Sequence, residues 1–183
     1  MKILVHTCCG PCLIYPHQVL KEKGFEITSF FYNPNIHPYT EYKKRLSSLK
    51  YLTEKENITL YVSKDYDIES FFRAVNNKEE EPLRCTACWR LRLNKTAQFA
   101  KENNFEYFTT TLSVSPYQDL KLIKEAGEEA AERYKVKFYF EDFRSGFKEA
   151  HIKAKELGLY LQKYCGCLYS ERARYLKEYR RKR

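Results

Sequence analysis

Short, almost uninterrupted apolar runs alternate along the chain with longer stretches in which apolar residues return every three or four positions. The runs fall at residues 2–6 (KILVH), 25–32 (FEITSFFY), 58–62 (ITLYV), 105–110 (FEYFTT) and 136–140 (VKFYF). Each is too short for a helix and rich in β-branched and aromatic residues, so each predicts a strand. Helical periodicity fills the gaps over 12–23, 40–56, 67–75, 88–103 and 117–134. Pro11 suits a first helical turn and Gly24 a stop, while Pro16 either delays that helix or kinks it. Ser115-Pro116 opens the helix at 117, and residues 76–83 read as a polar loop.

Beyond residue 140 the pattern is helical with one interruption at 164–168. The expectation is one domain over 1–183, in which 141–183 is a helical C-terminal extension. Strands that are apolar throughout, alternating with helices, predict a parallel, doubly wound α/β sheet of about five strands covered on both faces. Such sheets bind ligands beyond the carboxyl ends of their strands, near a switch in strand order.

Those strand ends are where the chemistry collects. The first is followed by His6-Thr7-Cys8-Cys9-Gly10-Pro11-Cys12, the second by Asn33-Pro34-Asn35-Ile36-His37-Pro38. The seven cysteines form three groups: Cys8, Cys9 and Cys12; a C-x-x-C at Cys85 and Cys88; and a C-x-C at Cys165 and Cys167. No run approaches 18 apolar residues, so no transmembrane helix is expected. The chain enters a strand-like run at once, without the pattern of a secretory signal. A cytoplasmic location is therefore expected, and there thiols serve as metal ligands or catalysts more often than as structural disulfides.

Two separated C-x-x-C pairs suit either a four-cysteine zinc site or an iron–sulfur cluster. A thiol group at a strand mouth, where a substrate arrives, favours the cluster. The C-x-C closes a small, strained ring if oxidised, which suits two-electron exchange better than holding a fold. Its alternative reading is a pair of packing residues in a helix break. Charge adds a partner: 33 Lys+Arg against 24 Asp+Glu leave +9. That is either a solvated basic surface or the footprint of a polyanion, most commonly nucleic acid. The 16 Tyr and 12 Phe largely fill the core, but rings beside cations also stack on exposed bases.

Taken together, His6–Cys12, Tyr32–Pro38 with Glu41, Tyr42 and Arg45, Cys85–Leu93, Thr110–Ser113, Asp142–Arg144 and Tyr160–Ser170 resemble the QueH family of epoxyqueuosine reductases, in order and over nearly the whole chain. Departures are small: Trp89 stands where the family often has Tyr, Gly10 where Ala is common, and the segment after Arg144 looks shorter. The resemblance implies reductive removal of the epoxide oxygen of epoxyqueuosine in a tRNA anticodon, giving queuosine. It implies a [4Fe–4S] cluster, an additional iron and an electron donor of unspecified identity, without cobalamin or a membrane. It also implies the adenine-nucleotide-hydrolase-like fold. The Cys cluster stands where that fold group carries its Gly-rich ATP loop, so ATP use is not expected.

On that resemblance Cys8, Cys9, Cys85 and Cys88 are the expected cluster ligands. Cys12 takes the place of Cys8 or holds the second metal. Cys165 and Cys167 are the expected redox pair, and Tyr164 a proton donor or a packing ring. His6 and His37 are acids, ligands or hydrogen-bonded structural residues. Asn33, Asn35, His37 and Arg144 are candidate substrate contacts, although Asn33 and Asn35 also suit loop ordering and Arg144 a pair with Asp142. Arg180 and Arg181, with Lys182 and Arg183, form a candidate phosphate-binding arm. Two rivals are an iron–sulfur tRNA thiolation enzyme of the same fold group, weakened by the missing ATP loop, and a non-catalytic zinc-dependent RNA-binding module, which has no use for the C-x-C.

Overall fold

The computed structural model describes the backbone of residues 1–181 and the side chains of residues 1–176. Each apolar run becomes a strand: β1 (Lys2–His6), β2 (Glu26–Phe31), β3 (Thr59–Val62), β4 (Tyr107–Thr110) and β5 (Lys137–Phe138). All pairings are parallel, in the order β3-β2-β1-β4-β5. Central β1 pairs with β2 from Lys2↔Glu26 to His6↔Phe30, and with β4 from Ile3↔Tyr107 to His6↔Thr110. Strand order switches between β1 and β4, so their carboxyl ends open the crevice in which such folds bind ligands.

The helices are α1 (Gly10–Glu22), α2 (Tyr39–Lys55), α3 (Ile68–Val75), α4 (Leu83–Glu102), α5 (Leu120–Tyr134), α6 (Phe147–Glu156) and α7 (Leu168–Arg181). Alternation along β1 divides the core. Ile3 and Val5 pack with Leu13 and Leu20 of α1, Leu49 and Leu52 of α2 and Ala154 of α6. Leu4 packs on the other face with Leu93 and Ala97 of α4 and Ile123 and Ala126 of α5. All three β1 side chains are fully buried, as a parallel strand covered on both faces requires. Phe143, Ala154 and Leu159 of the C-terminal extension belong to the first of these layers.

Several boundaries differ from the sequence pattern, each for a local reason. Helix α1 starts at Gly10 and keeps Pro16 inside it; the ring removes only the donor that would reach the Cys12 carbonyl. Helix α4 starts at Leu83, ahead of both Cys85 and Cys88, because Arg84 and Thr86 N–H already donate to the Glu80 and Pro82 carbonyls. Both thiols therefore lie within the helix, not before it. Helix α5 starts at Leu120, where Asp119 caps it by accepting from Leu122 N–H. Strand β5 shrinks to two residues. The interruption in the extension runs over 157–167. It begins where Gly158, at φ +65°, turns the chain out of α6.

Candidate thiol and metal site

Strand β1 delivers three thiols to the switch point. Thr7 N–H donates to the Phe30 carbonyl at 2.9 Å and its hydroxyl to the Val5 carbonyl, which fixes the path off the sheet. Cys9 then precedes α1 in extended conformation with no side-chain cap bond, so its sulfur is free for Cys8 and Cys12. The three Sγ atoms lie within 4.8 Å of one another, Cys8 and Cys9 at 3.8 Å. The Thr111 hydroxyl, just past β4, donates to Cys8 Sγ at 3.5 Å, and Gln162 Nε2 to Cys12 Sγ at 3.3 Å. Gly10 allows α1 to lie close to α2: a Cβ there would stand 2.8 Å from the Ser48 carbonyl oxygen.

Hydrogen bonds from Cys12 and Cys9 hold the Cys8 thiol well below its usual range. The same bonds push Cys12 up, and burial pushes Cys9 up. Cys8 is thus the most acidic of the three, beside the α1 N-terminus, where free N–H groups favour negative charge.

The remaining four thiols form a second neighbourhood. Cys88 is buried in a small cluster with Phe71 and Val75 of α3 and with Cys167. Burial raises Cys88 and pushes Cys85 up to about 11, and a negative Cys165 acts on both in the same direction. Among the described residues no fourth ligand-bearing side chain joins the triad within 4.8 Å. Cys85 and Cys88 therefore stand outside it, on the side of Cys165 and Cys167.

Cys165 and Cys167 are a free dithiol with sulfurs 4.0 Å apart. Gly166 between them has φ +135°, a conformation side chains rarely adopt, and a Cβ there would stand 3.0 Å from Ile36 Cγ1. Cys165 is exposed and Cys167 buried. The hydrogen bond from Cys167, helped by Ser170, holds Cys165 down to about 5, and the same bond raises Cys167.

An unusual set of buried contacts fastens this loop. Arg45, 1 % exposed, donates from its two terminal nitrogens to the carbonyls of Tyr164 (2.9 Å) and Cys165 (3.0 Å). Its Nε pairs with Glu41 at 2.8 Å, and the other Glu41 oxygen accepts from the Tyr160 hydroxyl. The Tyr164 hydroxyl donates to the His37 carbonyl, and His37 N–H donates to the Gly166 carbonyl at 2.8 Å. The guanidinium also lies close enough to Cys9 and Cys8 to sense their charge. Arg92, 4 % exposed, has a matching position on the other face. It donates to the Cys88 carbonyl at 3.3 Å, and its charge favours the thiolate forms of Cys88 and Cys165.

The other expected residues divide clearly. Fully buried His6 faces the Tyr32 carbonyl through Nε2 and Thr110 Oγ1 through Nδ1; burial and then Arg92 lower it to about 3. It is a neutral, hydrogen-bonded residue. Asn33 Nδ2 donates to the Thr7 carbonyl at 2.9 Å, which ties the loop after β2 to the triad segment. His37 Nε2 faces the Pro34 carbonyl at 3.0 Å, its ring stacks on Phe72, and burial lowers its pKa. Asn33 Oδ1, Asn35 Oδ1 and His37 Nδ1 are buried without a partner. Arg144 makes a bidentate pair with Asp142, both about half exposed. The side chains of Arg180 and Arg181, and Lys182 and Arg183 entirely, lie outside the described residues.

Arg45, Glu41 and Arg92 have no assigned role in the sequence reading. Glu41 and Arg45 are spaced i,i+4 on a charged helix, the pattern of a solvated surface pair. The signal that separates them is their place beside apolar Tyr42 and Leu49 on the inward stripe.

A five-stranded parallel sheet, covered by helices on both faces and carrying a thiol group at its switch point, is a doubly wound α/β fold. A solved structure described as a predicted subunit of tRNA methyltransferase from Methanocaldococcus jannaschii matches it at TM-score 0.57, over 85% of this chain and 75% of that one; at 14% identity the likeness is one of fold. The family model described as Epoxyqueuosine reductase QueH matches residues 3–173. The chain is 34% identical over 176 residues to a protein of that name from Dehalococcoides mccartyi, covering 96% of each. It is 36% identical over 175 residues to one from Thermotoga maritima, covering 92% of this chain and 89% of that one. This chain belongs to the epoxyqueuosine reductase QueH family, a family of oxidoreductases.

The site fits a metal. Two thiolates on one tetrahedral ion, each bound at about 2.3 Å, stand about 3.8 Å apart, the separation of Cys8 and Cys9. Buried sulfur donors of this kind suit iron–sulfur units or zinc and are poor ligands for hard cations.

Proposed function

We propose that this protein is a metal-dependent epoxyqueuosine reductase that removes the epoxide oxygen from epoxyqueuosine in tRNA. The observation that carries this reading is the pairing of a buried three-thiol group at the switch point with a fastened dithiol on the neighbouring loop. Cys8, Cys9 and Cys12 are the proposed core of the metal site, and Cys85 and Cys88, which stand apart from them beside Cys165 and Cys167, are the further thiols that would serve a [4Fe–4S] cluster and an additional iron. Bound metal supplies one-electron exchange and an electrophile for the departing oxygen.

The chain's own part balances. Opening an epoxide to an alkene takes two electrons and two protons and releases water. A thiolate and a thiol becoming a disulfide give two electrons and one proton, and solvent supplies the second proton. Cys165, the thiolate, is the nucleophilic partner, and Cys167 holds the proton that the pair shares. An external donor then returns the disulfide to the dithiol. Arg45 keeps the loop in register, and Arg92 favours the thiolate. Asn33 Oδ1, Asn35 Oδ1 and His37 Nδ1 are the unpartnered polar atoms offered to the substrate, since buried polar atoms normally have partners. Tyr164 serves as an anchor through the His37 carbonyl.

Anaerobic reconstitution followed by iron and sulfide analysis, with turnover on epoxyqueuosine-containing tRNA, tests the reading. We expect iron, sulfide and queuosine formation; a colourless, zinc-loaded protein without turnover would support an RNA-binding module instead.

A further inference from the structure

Outside the thiol crevice, a groove of about 410 Å³ runs between α2 and the turn at 157–160. Lys43, Lys44, Ser47 and Tyr51 line it from α2, and Tyr160 from the turn. Resting on the reading that RNA is the substrate, we propose that this groove is a phosphodiester seat that anchors the RNA backbone beside the reacting base.

Two observations favour phosphate over other occupants. Lys43 and Lys44 have no carboxylate within 4.0 Å among the described residues. Their ammonium groups instead rest over the rings of Tyr39 and Tyr160, at 5.9 and 5.6 Å from the centroids, so two cations are held in place with their charge unspent. Tyr51, half exposed in the groove lining, gives a flat surface for stacking, which single-stranded RNA uses and a free anion does not.

Position makes the groove useful. The Tyr160 hydroxyl donates to Glu41, Glu41 pairs with Arg45, and Arg45 holds the Cys165 carbonyl. The groove therefore begins where the loop fastening ends. From Lys44 to Tyr51 it extends along α2 for about 10 Å at 1.5 Å per residue. An RNA strand whose base enters the thiol crevice passes over this face, and its phosphates meet Lys43 and Lys44. Such contacts fix register without reading sequence.

The test compares Lys43→Gln/Lys44→Gln with Lys101→Gln/Lys135→Gln. The second variant removes the same charge from the opposite end of the sheet, where Lys101 and Lys135 line a shallow hollow before β4 and β5. Binding of a fluorescein-labelled tRNA transcript is followed by anisotropy over about 0.05–0.3 M salt. We expect the groove variant to bind about tenfold more weakly at low salt, with a log–log slope shallower by about 1.5, while the distal variant keeps the parental slope. The KM for epoxyqueuosine-tRNA rises far more than kcat falls. Equal losses in both variants, or none, overturn the groove. A parent protein that binds no tRNA overturns the RNA reading itself, and the groove with it.

Discussion

Three residues between Tyr164 and Leu168 concentrate the chemistry, and Gly166 governs them. Its φ of +135° and the 3.0 Å approach of Ile36 Cγ1 leave no room for a side chain. Gly166→Ala costs about 1–3 kcal/mol of backbone strain and moves the two sulfurs apart. Thiol counting after mild oxidation should show disulfide formation between Cys165 and Cys167 in the parent and little in the variant; equal oxidation would show that the glycine is dispensable. The pH dependence of Cys165 is also set here. Its pKa is lowered from the ordinary 9.0 to about 5, so the thiolate fraction is full above about pH 6 and falls as pH drops through 5. Only the thiolate is nucleophilic. The rate of alkylation of Cys165 should therefore be flat from about pH 6 to 8 and decline below it, where a free thiol would still climb tenfold per unit. A rate that climbs through pH 8 contradicts the arrangement. The pairing of Cys165 and Cys167 was legible in the C-x-C spacing. The thiolate was not, because it depends on Cys167 and Ser170 lying on the same side of Cys165.

Helix α2 joins the parts that strand order alone leaves separate. Its Glu41–Arg45 pair is buried, and its partners are backbone carbonyls of a loop 119 and 120 residues away. Removing one partner strands the other charge, which costs about 3–5 kcal/mol. Arg45→Met should lower the unfolding free energy by about that amount in urea titrations, with the C-x-C loop the first region to lose amide protection. A loss under about 1 kcal/mol would mean that the pair is solvated and the fastening unimportant. Strands and helices were legible as elements because a parallel sheet writes short apolar runs between periodic stretches. The 157–167 segment was not: its path is fixed by Arg45, Tyr160 and Tyr164, contacts that span the chain. Likewise α4 extends upstream of Cys85 on backbone bonds to Glu80 and Pro82, which no apolar periodicity announces.

At the level of the molecule, the sheet places one thiol group at the switch point and the fold of the extension brings a second beside it. Sequence order showed three cysteine groups, but not that Cys8, Cys9 and Cys12 cluster while Cys85 and Cys88 turn toward Cys165 and Cys167. Cys8→Ser and Cys12→Ser should each deplete bound metal, since oxygen is a poorer ligand than thiolate for soft sites, whereas Cys165→Ser should keep metal and lose turnover. On the proposed mechanism the dithiol supplies the two electrons. The direct measurement is a single turnover: reconstituted, fully reduced protein is freed of external reductant, mixed with epoxyqueuosine-tRNA, and assayed for queuosine and for free thiols by mass spectrometry. We expect one queuosine formed for each Cys165–Cys167 disulfide gained. Full queuosine formation with both thiols still free would contradict it.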